Sequence, residues 1–232
     1  MFGLRKTLSG GDPRAHRQEI GGAWGGYTKT KDGMAAGLIA GTMVATEIGW
    51  RAVEAIAEGD MVLTFDGGLQ RVREVIRGTL WRDAGHCPQS LWPLYVPAGA
   101  IGNLEDLVLV PEQTVLVESD AADMLLEDPF APVRIDALEG FRGIERMCPQ
   151  FEVDVVQLVF DEDEIIFAAS GALLLCPCVK AVDLSQLLAL AGSGPRYRAL
   201  SGDEAALLVE CLREEDDEMM NGDTHGSMAD AA

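Results

Sequence analysis

The sequence predicts a mainly β domain between about residues 41 and 178, and three observations carry that prediction. Apolar runs of strand length recur, such as "MVLTF" (61–65), "TVLVE" (114–118) and "EIIFAA" (164–169). Turn residues punctuate them, "DGG" at 66–68 supplying the positive-φ positions that a tight hairpin needs. Hydrophobic residues make up 48% of the 232, enough for a packed core and against wholesale disorder.

The elements follow in order. "TMVAT" (42–46) is a strand that turns at Glu47 to Gly49. "RAVEAIAEGD" sets Val53 and Ile56 three apart, one brief helical turn that Gly59-Asp60 ends. "MVLTF" follows, and "QRVREVIRG" (70–78) alternates around Val72 and Ile76 as one strand with a wet face. Further strands are expected at "PLYV" (93–96), "DLVLV" (106–110), "TVLVE", "VRI" (133–135), "FEVDVVQLVF" (151–160) and "EIIFAA". Residues 119–132 turn acidic and read as a loop. Past 178 the pattern becomes helical: Asp183 can cap "LSQLLALA", and Ser201 with Glu204 forms a capping box before "AALLVECLREED". Leu208 and Leu212, like Leu207 and Cys211, lie one turn apart and give that helix an apolar side. The resulting division is a flexible leader (1–36), a β domain (37–178), a helical extension (179–215) and a disordered acidic tail (216–232).

Charge and cysteines narrow the function. Acidic residues outnumber basic ones 38 to 18, and a formal charge of −20 repels phosphate backbones and anionic lipid. Nucleic acid and membrane are therefore not expected partners; a protein partner is. No apolar run approaches the roughly 18 residues that span a bilayer. The amino terminus lacks the apolar stretch of about 7–15 residues that a signal peptide requires. A cytoplasmic location is expected, with export by an uncleaved route left open. The five cysteines, an odd count at irregular spacing, point to reduced thiols. Cys176 and Cys178 stand closer than zinc-site cysteines usually do, so no metal and no cofactor is expected.

Four segments, in order, resemble the Hedgehog/intein (Hint) domain family in its bacterial branch of short self-standing proteins. "GLIAGTMVAT" is similar to an opening in which a Cys or Ser stands four residues before a Gly-Thr pair, here Gly41 and Thr42. "RAVEAIAEGDMVLTFDGG" is similar to the segment that follows, "VLVPEQTVLVE" to a central His-bearing segment, and "VQLVFDEDEIIFAASG" to a closing segment with two His. The likeness covers about residues 37–178. It implies a compact, horseshoe-like β fold with pseudo-twofold symmetry, here followed by short carboxy-terminal helices. It also implies self-processing, a backbone acyl shift onto the Cys or Ser assisted by histidines.

The residues for that chemistry are replaced. The position of the nucleophile is Gly37, which has no side chain. The central His matches Gln113, and the two closing His match Gln157 and Asp163. Glutamine can hydrogen-bond a carbonyl but cannot shuttle a proton near neutral pH. Asp163 sits among Asp161, Glu162 and Glu164 and reads as part of a solvated acidic turn. "FAASGALLLCPC" holds no Asn for the cyclisation that ends splicing. Only His16, His86 and His225 remain, in the leader, a loop and the tail. The favoured expectation is a Hint-like domain kept for interaction or scaffolding, with no catalytic residue. A self-cleaving domain with a relocated nucleophile would have to use Thr42, Ser170 or Cys176. A third reading is an unrelated all-β binding module. It would lack pairing between strands near 43–76 and strands near 108–167.

Overall fold

The computed structural model describes residues 29–30, 33–178 and 197–226. The chain begins with β1 (Lys29–Thr30), β2 (Gly33–Met34), β3 (Leu38–Ile39), β4 (Met43–Thr46), β5 (Gly49–Ala52), β6 (Met61–Thr64), β7 (Gly68–Arg71) and β8 (Glu74–Thr79). It continues through β9 (Leu94–Val96), β10 (Leu107–Leu109), β11 (Thr114–Glu118), β12 (Phe130–Arg134), β13 (Glu145–Arg146), β14 (Asp154–Val159), β15 (Glu164–Ala168) and β16 (Ala172–Cys176). Two α-helices accompany these strands among the described residues: α1 (Asp120–Leu126), before β12, and α2 (Gly202–Gly226).

Apart from the β1–β2 hairpin, the strands form two antiparallel sheets. The six-stranded sheet runs β13-β9-β10-β3-β14-β8, and the eight-stranded sheet runs β12-β11-β16-β15-β4-β6-β7 with β5 against β4. Early strands pair with late ones: β8 with β14, β3 with β10 and β14, and β15 with both β4 and β6. The chain passes from one sheet to the other five times, β3 to β4, β7 to β8, β10 to β11, β12 to β13 and β14 to β15. An unrelated β module would not need this exchange of strands.

The main core joins the inner faces of both sheets, through Leu38, Leu109, Val156 and Leu158 on one side and Val44, Val62, Val115 and Ile166 on the other. The central strands are apolar on their outer faces too. Val155 joins Met34, Leu80 and Val110 outside the six-stranded sheet. Leu116, Ile165 and Leu175 cluster outside the eight-stranded one, against Phe65, Phe130 and Tyr197. Strands buried on both faces read as continuous apolar runs, without alternation. For that reason "ALLLC", now β16, carries no strand signal of its own kind in the sequence.

Several elements differ from the sequence expectation. Residues 70–78 are two strands in different sheets, because Val72 dives into the core and Arg73 donates its N–H to Val159 O at the β7–β8 corner. β5 is an extra strand, folded back on β4 by the turn at Glu47–Ile48 with Gly49 at φ +104°. Leu63 is 39% exposed, since its neighbours Val62 and Thr64 take the inward positions. It shares one rung on the outer face with Leu69, directly across from it, and with Ala45 and Trp50, which pair on the neighbouring strands. The acidic stretch after Glu118 forms α1, capped by the Ser119 hydroxyl accepting from Ala122 N at 3.0 Å.

The capping box forms: Ser201 N donates to Glu204 Oε2 at 2.8 Å. Leu208 and Leu212 are buried, while Leu207 faces out. α2 continues to Gly226, past the expected start of the tail, and Asp216 forms a two-pronged pair with Arg142 at 2.8 and 2.5 Å. Gly33–Ala36, assigned by the sequence to the leader, are folded into the domain, with Met34, Ala35 and Ala36 buried. The expected helix at 184–191 and leader residues 1–28 lie outside the described residues. No helix among the described residues is long and apolar enough to cross a membrane.

The "EGD" turn shows how acidic residues serve the backbone. Asp60 accepts from Ala57 N at 3.0 Å and from Arg51 Nη1 at 2.7 Å. The backbone N–H of Ala57, helped by Arg51, holds its carboxyl below the ordinary value. A depressed folded-state value means that the stabilisation is present above the unfolded carboxylate range and is lost as pH falls through the folded value. Asp60→Asn is expected to cost about 0.5–1 kcal/mol at neutral pH. The gap to wild type should close as urea titrations are taken below about pH 4.

Candidate functional site

The amino-terminal junction is built where Ala35–Gly37 runs along β14. Gly37 adopts φ +129°, a backbone conformation that side chains strongly disfavour. A Cβ built there would lie 2.8 Å from Val155 Cγ1, 3.1 Å from Val156 O and 3.2 Å from Gln157 Cγ. The chain thus lies flush on β14, with no room for sulfur or hydroxyl. One residue earlier, the Ala36 carbonyl accepts from Gln157 Nε2 at 3.3 Å. In an acyl shift this carbonyl, directly before the nucleophile, is the group attacked. Here it meets a neutral amide that donates a hydrogen bond and carries no mobile proton.

Gln113 approaches from the β10–β11 corner. Its neighbour Glu112 donates its N–H to Ala35 O at 3.3 Å. The Gln113 side chain is 1% exposed, and its Nε2 donates to Thr114 O at 2.9 Å and to Leu175 O at 2.8 Å. Its Oε1 is buried with no hydrogen-bond partner among the described residues. The junction, Gln157, the Gln113 corner and β16 are therefore linked by direct contacts. The upstream segment is tied in as well. Met34 packs with Leu80, Val110 and Val155, so close to β8 that a Cβ at Gly78 would stand 2.5 Å from its sulfur.

A family model described as "Hint domain" matches residues 36–173, more than half of the chain. The chain belongs to the Hint domain family. Among solved structures it is similar to the bacterial intein-like domain from Clostridium thermocellum, with 16% identity and a TM-score of 0.44, covering 60% of this chain and 97% of that one. It is also similar to the gp41-1 intein, with 12% identity and a TM-score of 0.37, covering 60% of this chain and 98% of that one. No curated protein matches it.

The remaining site residues of this Hint domain are placed as follows. Asp163 Oδ1 accepts from Cys178 N at 2.7 Å, so its carboxylate holds the end of β16. Thr42 is buried and lines a cleft of about 300 Å³ with Ile39, Asp106 and Ala169. Asp106, a carboxylate that lines the same cleft, accepts from Tyr95 Oη at 2.7 Å and from Ala98 N at 3.0 Å. These bonds hold its carboxyl below the ordinary value and make it a weaker base. Ser170 sits at φ +58° in the tight β15–β16 turn. Cys176 is buried, and desolvation, reinforced by Glu164, pushes its thiol up to about 12. Among the described residues no group of three or more His, Cys, Asp or Glu is arranged to hold a metal ion.

Two buried structural residues escape a reading by motif. Met34 stands outside the family segments, and its only signal is the apolar run "MAAGLIA" that continues into β3. Asn103 is fully buried, accepting from Ile101 N at 3.1 Å and donating to Pro97 O at 2.9 Å and Glu105 O at 2.8 Å. It orders the loop that brings Asp106 to the cleft.

Gly37→Ala is expected to cost about 3 kcal/mol, combining backbone strain with overpacking. Gly41→Ala makes the control, because Gly41 also has positive φ (+92°) but open space around its Cα. Its cost should be about 1–2 kcal/mol, from strain alone. The difference between the two urea midpoints reports the contact with β14.

Proposed function

We propose that this Hint domain does not cleave itself and serves as a stable interaction or scaffold domain. The observation that carries the proposal is Gly37, where conformation and close packing on β14 leave no place for a nucleophile beside the Ala36 carbonyl. Supporting it, Gln157 gives that carbonyl a neutral hydrogen bond where proton transfer would be required. The protonated state of the buried Cys176 thiol argues in the same direction. So does the docking of Met34, since cleavage after Ala36 would sever a buried part of the fold. A protein partner is the natural counterpart for a chain with a formal charge of −20 and an exposed rung holding Trp50, Leu63 and Leu69.

Intact-mass spectrometry of the full chain, fresh and after long incubation with hydroxylamine or dithiothreitol, tests the proposal. The expected result is a single 24.9 kDa species under every condition. Accumulation of a fragment that starts at Gly37, in material free of protease, would overturn it. Breakage beside Thr42, Ser170 or Cys176 would instead establish a relocated nucleophile.

A further inference from the structure

β3 and β10 diverge at one end of the six-stranded sheet. They pair at a single position, Leu38 opposite Leu109. Continuing that register would set Ile39 opposite Val108, Ala40 opposite Leu107 and Gly41 opposite Asp106, and none of these pairs forms. The Ala40 N–H donates instead to Asp154 O at 2.9 Å, and the Gly41 N–H to Glu54 Oε2 at 2.7 Å. β10 thus keeps β9 beside it along Leu107–Leu109 but has lost its neighbour on the other side before Leu109. The cleft of about 300 Å³ is the space this divergence leaves, between residues 39–43 and residues 105–108.

The cleft offers backbone, a buried hydroxyl and negative charge. Asp106 takes part in no backbone–backbone hydrogen bond among the described residues, so its N–H and C=O remain open at the sheet edge. Thr42 is 7% exposed, and both of its backbone groups are used: its N–H donates to Ile39 O at 3.1 Å, and its C=O accepts from Val53 N at 2.9 Å. Its hydroxyl has no hydrogen-bond partner among the described residues, an unsatisfied polar group in the wall of the cleft. Glu105 and Asp106 are exposed at the mouth. The Tyr95 hydroxyl and the Ala98 N–H keep the Asp106 carboxyl charged at neutral pH.

We propose that the cleft binds a short extended segment of a basic protein partner, which pairs with β10 in the place that β3 vacates. The proposal rests on the reading of this chain as an interaction domain and names the class of partner. The backbone of the segment bonds the Asp106 N–H and C=O and continues the sheet, as in strand addition. An apolar side chain packs against Leu107 and Ala169, and the Thr42 hydroxyl bonds the peptide group beside it. Its neighbour along the segment points the other way, and as Lys or Arg it meets the Glu105 and Asp106 carboxylates. A chain with a formal charge of −20 disfavours an acidic segment at the same place.

The test titrates the isotope-labelled full chain with the blocked peptide acetyl-Lys-Val-Lys-Val-Lys-amide and follows the backbone amides by NMR. The expected result is saturable shifts at Thr42, Asp106 and Leu107. Glutamate in place of the lysines should weaken binding at least about tenfold. Proline at the centre of the peptide, which removes an N–H, should abolish the shifts. Glu105→Gln should weaken binding about threefold and Thr42→Val about fivefold. The proposal is overturned if no saturable shift appears, if the shifts fall at Trp50, Leu63 and Leu69 instead, or if the glutamate or proline peptide binds equally well. Wild-type shifts decide the outcome even where a variant folds poorly. A chain that stays whole but ignores the peptide sinks this proposal alone, whereas breakage before Gly37 sinks the scaffold reading.

Discussion

The amino-terminal half of this molecule depends on the flush contact between Gly37 and β14. Because Gly37 has no Cβ, backbone lies against the Val155, Val156 and Gln157 side of the strand at distances that a methyl group could not share. The contact brings the Ala36 carbonyl to Gln157 and aims Met34 at the cluster of Leu80, Val110 and Val155. That cluster lets β14 be apolar on both faces, with Val156 and Leu158 turned into the main core. Widening the junction would expose the outer face of the strand and weaken the sheet that holds it.

The polar residues around the junction make structural hydrogen bonds. Gln113 and Gln157 use their amides to fasten one segment to another, donating to the Leu175 and Ala36 carbonyls. An imidazole could do the same and also move a proton; an amide can only hold. Acidic side chains behave alike. Asp161 pairs with Arg73 at the β7–β8 corner at 2.8 Å, Asp163 holds Cys178, and Asp60 closes its own turn. Much of the acidity near the corners thus serves the backbone where the chain changes sheets.

The legibility of the chain differed from place to place for physical reasons. Gly59-Asp60 and Asp66-Gly67 were readable because turn chemistry is local: Thr64 Oγ1 accepts from Gly67 N at 3.2 Å, three residues away. The capping box at Ser201 and Glu204 was readable for the same reason. β16 was not, since a strand buried on both faces loses the alternation that marks strands with one wet face. Residues 70–78 misled in the opposite way. Their alternation is continuous in sequence, yet the sheet changes beneath Val72 and Arg73. α1 hid among acidic residues, although Ser119 followed by Asp120 and Asp123 is a sound helix start.

Sequence alone determined the family, and it set Gly37, Gln113, Gln157 and Asp163 at the positions where the resemblance implies a nucleophile and histidines. These are matters of residue identity at recognisable spacing, and a missing side chain is missing in any fold. Only the tertiary structure decided that Gly37 has no room for a side chain and that Met34 belongs to a buried cluster. Each of these depends on distances between segments tens of residues apart, which are set by strand register and sheet packing rather than by any local pattern.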